Sequence, residues 1–430
     1  MSIRISTAIL TLGVILSLFA ACQTSRAKSS VEMAAVPRDT LSYRNLGQVK
    51  GKEIVVRKTV DLRGRICNLP EGYSLVFKDG VIKNGILNGN KTKIEHCKKA
   101  IFDHILIKGS WDVADISSKM FKDLHYINAV RNVVAMACGT VHNRIVIEKG
   151  IYPVSVQHES ETCLLLEDNT ELVLNGTIQL TPNSFKNYYI MTIAGENTTV
   201  SGCGTIIGDK SNHTAKEGEW GMGIYFRGAT NATVKGLTIK DCWGDCIYVG
   251  GDSRNVNIEN CLLDNGRRQG ISVTKADYVI IRNCTIKNIS GTDPEYAIDI
   301  EPNIGCRVDH VLIENVVAKN CEGGFVVSKG NHNTEQKEIG EVTIRNCTVI
   351  ANSKYPIRFE RCDKAILENC VVYDNQENTT ISSIRAKDVT MKNNKIIKKS
   401  GFSLLKRNNQ MMKILWAERE NVINNEIVQQ

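Results

Sequence analysis

The stretch from Lys240 to Asn303 reads KDCWGDCIYVGGDSRNVNIENCLLDNGRRQGISVTKADYVIIRNCTIKNISGTDPEYAIDIEPN. One short phrase recurs within it: a run of β-branched residues, a polar residue, Asn or Asp, and then Cys, as in TIKDC, NIENC and IIRNC. Downstream the phrase continues as LIENV, TIRNC, ILENC, TMKNN and VINNE. A repeat of about 20–50 residues indicates a stack of similar structural units.

The Asn or Asp of each phrase lies between 19 and 32 residues from the next one. Each interval holds short runs rich in Val and Ile, separated by Asn, Gly and Asp, and is too short for a pair of helices. This pattern is typical of a parallel β-helix, a solenoid in which each coil stacks only on its neighbours. The positions that define the repeat are Asp241, Asn260, Asn283, Asn315, Asn346, Asn369 and Asn393.

The repeated Asn and Cys positions have a structural explanation. Asn tolerates the left-handed dihedrals of a tight corner, and stacked Asn side chains can bond from coil to coil. The Cys after each Asn is expected to form an inward stack of small apolar thiols and not disulfides, although the chain has 15 cysteines. Neither a structural metal site nor a metal ligand is assigned to them. The cysteines of the predicted stack are Cys242, Cys261, Cys284, Cys347 and Cys370.

The chain begins with the pattern of an exported lipoprotein. Residues 1–22 combine Arg4, a short apolar run and small residues before Cys22, which predicts a signal peptide. The ending Phe19-Ala20-Ala21-Cys22 resembles a bacterial lipobox, which implies lipidation of Cys22, a membrane anchor and a place in the bacterial cell envelope. The alternative is ordinary secretion with cleavage nearby. Residues 23–45 are predicted to be a polar tether.

Two further segments complete the predicted organisation. Residues 46–112 alternate short strands with Gly and Asn turns and are expected to form an N-terminal β section. Residues 113–430 are expected to form the β-helix. Between Ser117 and Ala137, apolar residues recur at helical spacing, which predicts one amphipathic α-helix that caps the stack.

Composition narrows the possible partners. The net charge is +8, and neither a Lys/Arg block nor interleaved basic and aromatic residues occur, so no nucleic acid is expected to bind. The basic balance is compatible with an acidic polymer. Aromatic residues make up only 6% of the chain, which argues against a wide aromatic platform for sugars. A monomer is expected.

Alignment of the coils by their apolar residues predicts which side chains face outward. Ile247, Ile271 and Ile298 fall at one inward level, so the residues that follow them must point to solvent. The predicted outward stripe consists of Tyr248, Ser272, Asp299, Val326 and Arg358. With the residues near the adjacent corner, this stripe predicts a polar patch on one sheet face.

The phrases IVIEKGIY, LVLNGTI, VSGCGTIIG and GDCIYV resemble the polygalacturonase-like and pectate-lyase-like right-handed β-helix proteins. The resemblance covers roughly Asn128 to Asn303, and the coils extend it to about Asn425. It implies an all-β fold: a single-stranded right-handed parallel β-helix with an N-terminal strand section and one capping α-helix. It also implies a polysaccharide as partner.

The catalytic phrases of polygalacturonases are not retained. The family's Asp-Asp-Cys phrase corresponds to Gly244-Asp245-Cys246, and the family's other Asp falls near Met222. Arg268-Gln269-Gly270 stands in place of the family's Gly-His-Gly phrase, and the Arg-x-Lys phrase falls near Ala297–Glu301 without either base. Polygalacturonase activity is therefore not transferred to this chain.

Three carboxylates are the candidate catalytic groups: Asp245, Asp299 and Glu301. Asp299 and Glu301 should lie ~7 Å apart along one strand, and inverting glycosidases need about 6.5–9.5 Å between their two carboxyls. We therefore predict an inverting glycoside hydrolase without a cofactor, acting on a possibly acidic polysaccharide. The predicted substrate-binding residues are Glu219, Trp220, Tyr248, Arg267, Arg268, Gln269, Lys329 and Arg358.

Three alternatives remain open from the sequence. A uronate lyase would use Lys, Arg or Tyr as its base, with Ca²⁺ as a possible aid held by the same carboxylates. A C5-epimerase would use similar groups, but Asp293-Pro294-Glu295 only partly matches the expected Asp-Pro-His phrase. The third alternative is a non-catalytic glycan-binding or adhesion protein, which an ion pair between Asp299 and Arg268 would favour.

Overall fold

The computed structural model describes residues 40–95, 99–137, 141–328, 339–375, 380–398, 412–414, 417 and 419–429. The strands of this part of the chain lie in four sheets. Thr40–Gln430 forms one compact unit. No helix among the described residues has the length and apolar character that a membrane crossing requires. The predicted signal peptide, Cys22 included, lies outside the described residues.

The N-terminal sheet contains eight strands arranged around one long strand. Its one antiparallel pair joins Gln48–Lys50 to Glu53–Val56. The sheet begins earlier than predicted: residues 40–45 belong to the fold and not to a tether, because Leu41 and Leu46 are buried in the core. The strands are Thr40–Leu41, Gln48–Lys50, Glu53–Val56, Thr59–Asp61, Ile66–Asn68, Ser74–Phe77, Val81–Glu95 and Phe102–Trp111.

Sheet 1 of the solenoid has 12 strands, and each pairs in parallel with the equivalent strand of the next coil. Its strands are Asp115–Ser117, Asn143–Ile147, Thr170–Leu174, Thr199–Gly202, Thr230–Lys235, Ser253–Glu259, Ala276–Arg282, Val308–Glu314, Ile339–Arg345, Cys362–Glu368, Asp388–Lys392 and Arg419–Ile423.

Sheet 2 has 11 strands, also parallel. They are short because tight corners enclose them on both sides. The strands are Ile151–Val154, Thr177–Leu180, Thr205–Ile207, Thr238–Lys240, Leu262–Asp264, Thr285–Lys287, Val317–Cys321, Thr348–Ala351, Val371–Tyr373, Lys395–Lys398 and Glu426–Gln429.

Sheet 3 has ten parallel strands and carries the predicted polar patch on its outer face. One strand from each sheet makes a coil, which confirms the predicted solenoid. The strands are Glu161–Leu166, Asn187–Ile193, Trp220–Arg227, Ile247–Gly250, Ile271–Val273, Tyr296–Ile300, Gly323–Val327, Ile357–Glu360, Ile381–Ile384 and Met412–Ile414.

Asparagines in left-handed conformation form the corner after sheet 1, as predicted. Asn315 has a φ of 53°, and its amide Nδ2 donates to Asn283 Oδ1 at 3.1 Å. The same contact joins Asn393 to Asn369 at 3.2 Å. Amide groups therefore link successive coils along the corner.

Asp241 was predicted to belong to this corner but lies at the next one. It follows the sheet 2 strand Thr238–Lys240 and accepts a hydrogen bond of 2.6 Å from Asn265 Nδ2. The phrase TIKDC looks like NIENC because both corners need the same left-handed residue. Cys242 is therefore buried beside the second corner and does not belong to the stack of Cys261, Cys284, Cys347 and Cys370. All 12 cysteines in the described residues are free thiols.

The long helix predicted between Ser117 and Ala137 is not formed. The segment contains a 3-10 turn at Ser118–Met120 and one short α-helix at Arg131–Val134. Asn128 has a φ of 63°, which a right-handed helix cannot accommodate, and its amide bonds to Ser155. Of the seven apolar residues that suggested a helix, Ile127 is 53% exposed, and the other six are buried: Met120, Phe121, Leu124, Val130, Val133 and Val134.

Candidate active site

The register of sheet 3 aligns the five residues of the predicted outward stripe, although Ser272, Asp299 and Val326 are buried and not open to solvent. Tyr248 pairs with Ser272, and Ser272 pairs with Asp299. Asp299 then pairs with Val326, which pairs with Arg358. The alternation of the strand turns the flanking residues inward, where Ile247, Val249, Ile271, Val273, Ile298 and Ile300 are fully buried.

An open pocket lies on this face and encloses about 350 Å³, counted together with its open mouth. Three consecutive coils contribute to its floor, and the strand that begins at Trp220 contributes to its wall. The pocket is lined by Trp220, Tyr248, Arg268, Ser272, Thr274, Asp299, Glu301 and Asn303.

Asp299 is the most deeply placed acid of the pocket, with only 4% of its surface exposed. Gln269 Nε2 donates to Asp299 Oδ2 at 2.6 Å, and Gln269 Oε1 accepts from the backbone N–H of Tyr296 at 2.7 Å. Burial raises the pKa of Asp299 well above its usual range, and the negative charge of Glu301 raises this pKa further. The surroundings of Asp299 therefore favour its protonated form, with the proton on the oxygen that Gln269 does not contact.

Glu301 lies two residues further along and lines the same pocket. Its backbone N–H donates to Val273 O at 3.1 Å, which continues the pairing of the strand past Ile300. The side chain is only partly buried. Two residues along a strand correspond to ~7 Å at the backbone, which falls in the range of about 6.5–9.5 Å that inverting glycosidases need between their carboxyl groups.

Asp245 lies behind the pocket wall, with no exposed surface. Arg268 Nη1 donates to it at 3.1 Å, and the Ser272 hydroxyl donates at 2.7 Å. Its backbone N–H points to the sulfur of Met222 at 3.4 Å, at the position where polygalacturonases have a second Asp. Burial raises the pKa of Asp245, and the adjacent Arg268 opposes this effect. Asp245 therefore holds Arg268 and Ser272 and does not itself line the pocket.

Arg268 stands between two acids. It pairs with Asp245 at 3.1 Å and with Glu219 at 3.5 Å. This arrangement differs from a direct Asp299–Arg268 pair, which would have favoured a non-catalytic surface. Arg268 lines the pocket, but its charge is already balanced by carboxylates.

Several predicted binding residues lie elsewhere. Arg267 stacks on Trp243, with its guanidinium 3.7 Å from the ring centre, and donates to Gly218 O at 2.9 Å. Arg267 does not line the pocket, because its guanidinium contacts the ring of Trp243 and the backbone carbonyl of Gly218 instead. Gln269 is fully buried beneath Asp299 and holds the acid, so it is not a substrate-binding residue.

Arg358 is also absent from the pocket lining. It donates to Glu360 at 2.6 Å, and its guanidinium lies 4.6 Å from the ring centre of Tyr355. In the register of sheet 3, Arg358 lies two coils beyond Asp299, and Glu360 neutralises its charge. Lys329 lies outside the described residues.

The loop between Ile207 and Trp220 is held by a buried cluster that the sequence did not reveal. His213 stacks on Trp243 at 4.0 Å between ring centres, and its Nδ1 lies 2.9 Å from Asp209 Oδ2. Tyr188 donates a short hydrogen bond to Asp209. The His213 and Asp209 side chains have no exposed surface. Their spacing of four residues was the only signal, and it does not distinguish a buried pair from a solvated one.

The wall of the pocket is aromatic. Trp220 is 45% exposed, as expected for a group that meets a ligand. The hydroxyl of Tyr248 accepts from Thr274 at 2.9 Å and from Asn303 at 3.3 Å.

Among the residues that the structure describes, no three or more His, Cys, Asp or Glu side chains are grouped to hold a metal ion.

The family whose model matches this chain is the right handed beta helix region, over residues 154–338 and 337–428. The two matches span more than half of the chain, so the protein belongs to this family, and the predicted hand of the solenoid is confirmed.

Two relatives come from Bacillus subtilis (strain 168). The SPbeta prophage-derived uncharacterized protein YorA is 26% identical over 262 residues, which is 55% of this chain and 39% of YorA. The uncharacterized protein YclG is 30% identical over 205 residues, which is 39% of this chain and 35% of YclG. The chain thus spans less than half the length of either relative.

Solved structures with the same fold include two polysaccharide-acting proteins. The A-module of the mannuronan C-5 epimerase AlgE6 from Azotobacter vinelandii has a TM-score of 0.52 at 14% identity, over 70% of this chain and 94% of that one. The endo-xylogalacturonan hydrolase of Aspergillus tubingensis has a TM-score of 0.52 at 12% identity, over 74% of this chain and 93% of that one. At such identities the likeness concerns the fold alone.

Proposed function

We propose that this protein is a carbohydrate-active enzyme, a glycoside hydrolase of the inverting type that acts on a polysaccharide. The observation that supports the proposal is the pair of acids in one pocket: Asp299, whose pKa is raised by burial, and the more exposed Glu301. A buried acid with a raised pKa and a more exposed acid, spaced ~7 Å along the strand, match the two roles that inversion requires.

In this mechanism Asp299 is the general acid. Gln269 occupies one of its oxygens, so the other oxygen carries the proton and gives it to the glycosidic oxygen as the bond to the anomeric carbon breaks. Glu301 is the general base and takes a proton from the water that attacks the opposite face of that carbon. Asp299 then ends as a carboxylate and Glu301 as an acid, and exchange of one proton with solvent restores both.

Asp245 and Arg268 support this chemistry from behind. The negative charge of Asp245 raises the pKa of Asp299, whereas Arg268 lowers it. Ser272 and Thr274 line the pocket floor and offer hydroxyls to a sugar. The polysaccharides named for the hydrolase and the epimerase of the same fold are consistent with a glycan substrate here, without identifying it.

The second candidate is a lyase or an epimerase, and one observation favours it. Arg268 and Tyr248 line the same pocket, so a guanidinium could face a uronate carboxylate while a phenol takes the adjacent proton. Two observations oppose it: Arg268 is already paired with Asp245 and Glu219, and Thr274 and Asn303 bond the Tyr248 hydroxyl. If calcium assists such a reaction, Asp299 and Glu301 are its nearest oxygen donors.

We also propose that the protein is exported to the bacterial cell envelope and anchored through a lipid on Cys22. The support is the sequence pattern of residues 1–22 alone. Expression of the full chain and of a Cys22→Ala variant in a bacterial host, followed by detergent partitioning, tests the anchor. The unaltered chain should enter the detergent phase, and the variant should remain aqueous. Equal partitioning of both would refute the anchor.

The activity is tested by incubating the chain with a panel of neutral and acidic polysaccharides. Reducing ends and the ultraviolet absorbance of a new C=C bond are recorded together. We expect reducing ends without absorbance, and a loss of about 10²–10⁴-fold in rate for Asp299→Asn and for Glu301→Gln. Asp277→Asn is the matched control, because Asp277 lies on sheet 1 and faces His310.

The two readouts, reducing ends and ultraviolet absorbance, distinguish the candidate functions. Absorbance that grows with the reducing ends would assign a lyase and overturn the hydrolase. Unchanged cleavage in both acid variants would remove Asp299 and Glu301 from the mechanism. Binding of a glycan with neither signal would leave a glycan-binding protein.

A further inference from the structure

We propose that the pocket is the end of a longer binding surface, a row of three tyrosines that holds a neutral glycan chain. The proposal rests on the proposed function in that both place a glycan in the pocket. It adds two residues, Tyr189 and Tyr225, and the chemical class of the ligand. It favours a neutral polysaccharide, whereas the sequence had left an acidic one possible.

The tyrosine row lies on the outer face of sheet 3, on the N-terminal side of the pocket. The rings of Tyr189 and Tyr225 stack with centres 4.8 Å apart, and Tyr225 meets Tyr248 edge to face at 5.3 Å. Tyr248 itself lines the pocket. The row is therefore continuous with the candidate active site.

All three tyrosines are partly exposed, although they lie on a sheet whose other face is the core. Burial raises the pKa of Tyr225 to about 12, so its hydroxyl remains neutral. Gly250 leaves room for the ring of Tyr248, because a Cβ there would lie 2.9 Å from the ring. The rings thus form a partly exposed aromatic surface.

Such a surface fits the apolar C–H faces of pyranose rings. Tyrosine combines a broad apolar ring with a hydroxyl that can bond to sugar hydroxyls. Trp220, which is 45% exposed, adds a further ring at the pocket wall. The aromatic content of the whole chain is low, but these three tyrosines and Trp220 lie next to one another at the pocket.

The charges around the pocket select against a uronate. Glu301 and Glu219 stand near the pocket with Asp245 behind them, and Arg268 is the cation that faces them. Asp245 and Glu219 already neutralise Arg268. In the part of the chain that the structure describes, a sugar carboxylate would therefore meet like charge and no unpaired guanidinium, whereas a neutral sugar carries no charge to be repelled.

The row is tested by affinity gel electrophoresis. The unaltered chain, Tyr225→Ala and Tyr278→Ala are run in gels that contain galactomannan, xyloglucan, arabinoxylan, polygalacturonate or alginate. Tyr278 is the control because it is 50% exposed and stacks on His310 on sheet 1, away from the pocket. Reducing ends are measured separately on the same samples.

We expect at least one neutral polymer to retard the unaltered chain and Tyr278→Ala. Tyr225→Ala should bind about tenfold more weakly, which is the effect of roughly 1.4 kcal/mol. Stronger retardation by polygalacturonate or alginate, retardation by none of the neutral polymers, or equal binding by Tyr225→Ala would each overturn the proposal. Retardation lost in Tyr225→Ala without any cleavage would support the row and count against the hydrolase, so the two proposals fail separately.

Discussion

Asp299 and Glu301 lie two residues apart on one face of the same chain segment, yet their surroundings differ. Asp299 is buried against Gln269, whereas Glu301 is partly exposed. Burial favours the neutral form of a carboxyl group, and the nearby charge of Glu301 adds to that preference. The difference in environment supports the proposed roles of Asp299 as acid and Glu301 as base, which the sequence alone left open.

Replacing Asp299 by Asn should stabilise the protein at neutral and alkaline pH. Because the folded-state pKa of Asp299 lies above its unfolded value of about 3.9, the stabilising contribution of its protonation is fully present below pH ~4. It is lost as the pH rises through the folded-state pKa. Asn remains neutral and keeps an oxygen for Gln269, so its melting temperature should exceed that of the unaltered chain at pH 8.

Thermal unfolding at pH 4 and at pH 8 checks this prediction. The advantage of Asp299→Asn should be large at pH 8 and small at pH 4. A variant that is less stable than the unaltered chain at pH 8 would show that Asp299 is held as a stable carboxylate.

Asp245→Asn should move the alkaline limb of the pH–rate profile to lower pH. The charge of Asp245 raises the pKa of Asp299, so its removal lets Asp299 lose its proton earlier. The released Arg268 acts in the same direction. A profile that moves to higher pH, or that loses rate equally at every pH, would contradict the positioning role of Asp245.

At the scale of elements, the loop between Ile207 and Trp220 places Trp220 at the pocket and Glu219 beside Arg268. His213 and Arg267 both stack on Trp243, and Arg267 also donates a hydrogen bond to Gly218 O. These contacts fix the loop to the solenoid. Arg267 thus acts on the site through the loop and not through the ligand.

Arg267→Ala should raise KM about five- to tenfold and leave kcat nearly unchanged. The variant loses the stacking on Trp243 and the contact to Gly218, which loosens the loop that carries Trp220. Steady-state kinetics on the substrate found in the panel measures the effect. Arg282→Ala is the control, because Arg282 pairs with Glu259 on sheet 1. Equal effects of the two variants would show that Arg267 contributes only general stability.

The corner asparagines contribute through both conformation and bonding. Asn315→Ala should lower the free energy of unfolding by about 2–3 kcal/mol, since the left-handed conformation costs Ala about 1–2 kcal/mol and the bond to Asn283 about 1 kcal/mol. Asn315→Gly should lose only about 1 kcal/mol, because Gly accepts that conformation. Urea denaturation compares them, and equal losses would contradict the conformational part.

At the scale of the whole molecule, the solenoid was predictable because its signals repeat. The alternation of Ile247, Tyr248 and Val249 recurs in each coil, and the repeated phase fixes both the inward and the outward stripe. The stripe with Ser272 and Asp299 followed directly. A single helix offered no such repetition, and the positive φ of Asn128 ended it without a signal that apolar periodicity can detect.

The candidate site was predictable in position but only partly in its contacts. Arg267 donates a hydrogen bond to Gly218, which is 49 residues distant in the sequence, and Arg268 donates one to Asp245, which is 23 residues distant. Such contacts depend on the conformation of the loops between the coils. The loop sequences have no periodicity from which that conformation could be predicted. For the same reason, the burial of Gln269 and of the Asp209–His213 pair became visible only in the folded chain.

The proposed reaction is hydrolysis with inversion by Asp299 and Glu301. It is tested by the anomeric configuration of the first product. Proton NMR during cleavage of the polysaccharide found in the panel records the configuration before mutarotation. The separation of the two carboxyls predicts a product whose configuration is opposite to that of the bond cleaved. A product with the original configuration, or one with a new C=C bond, would contradict the account.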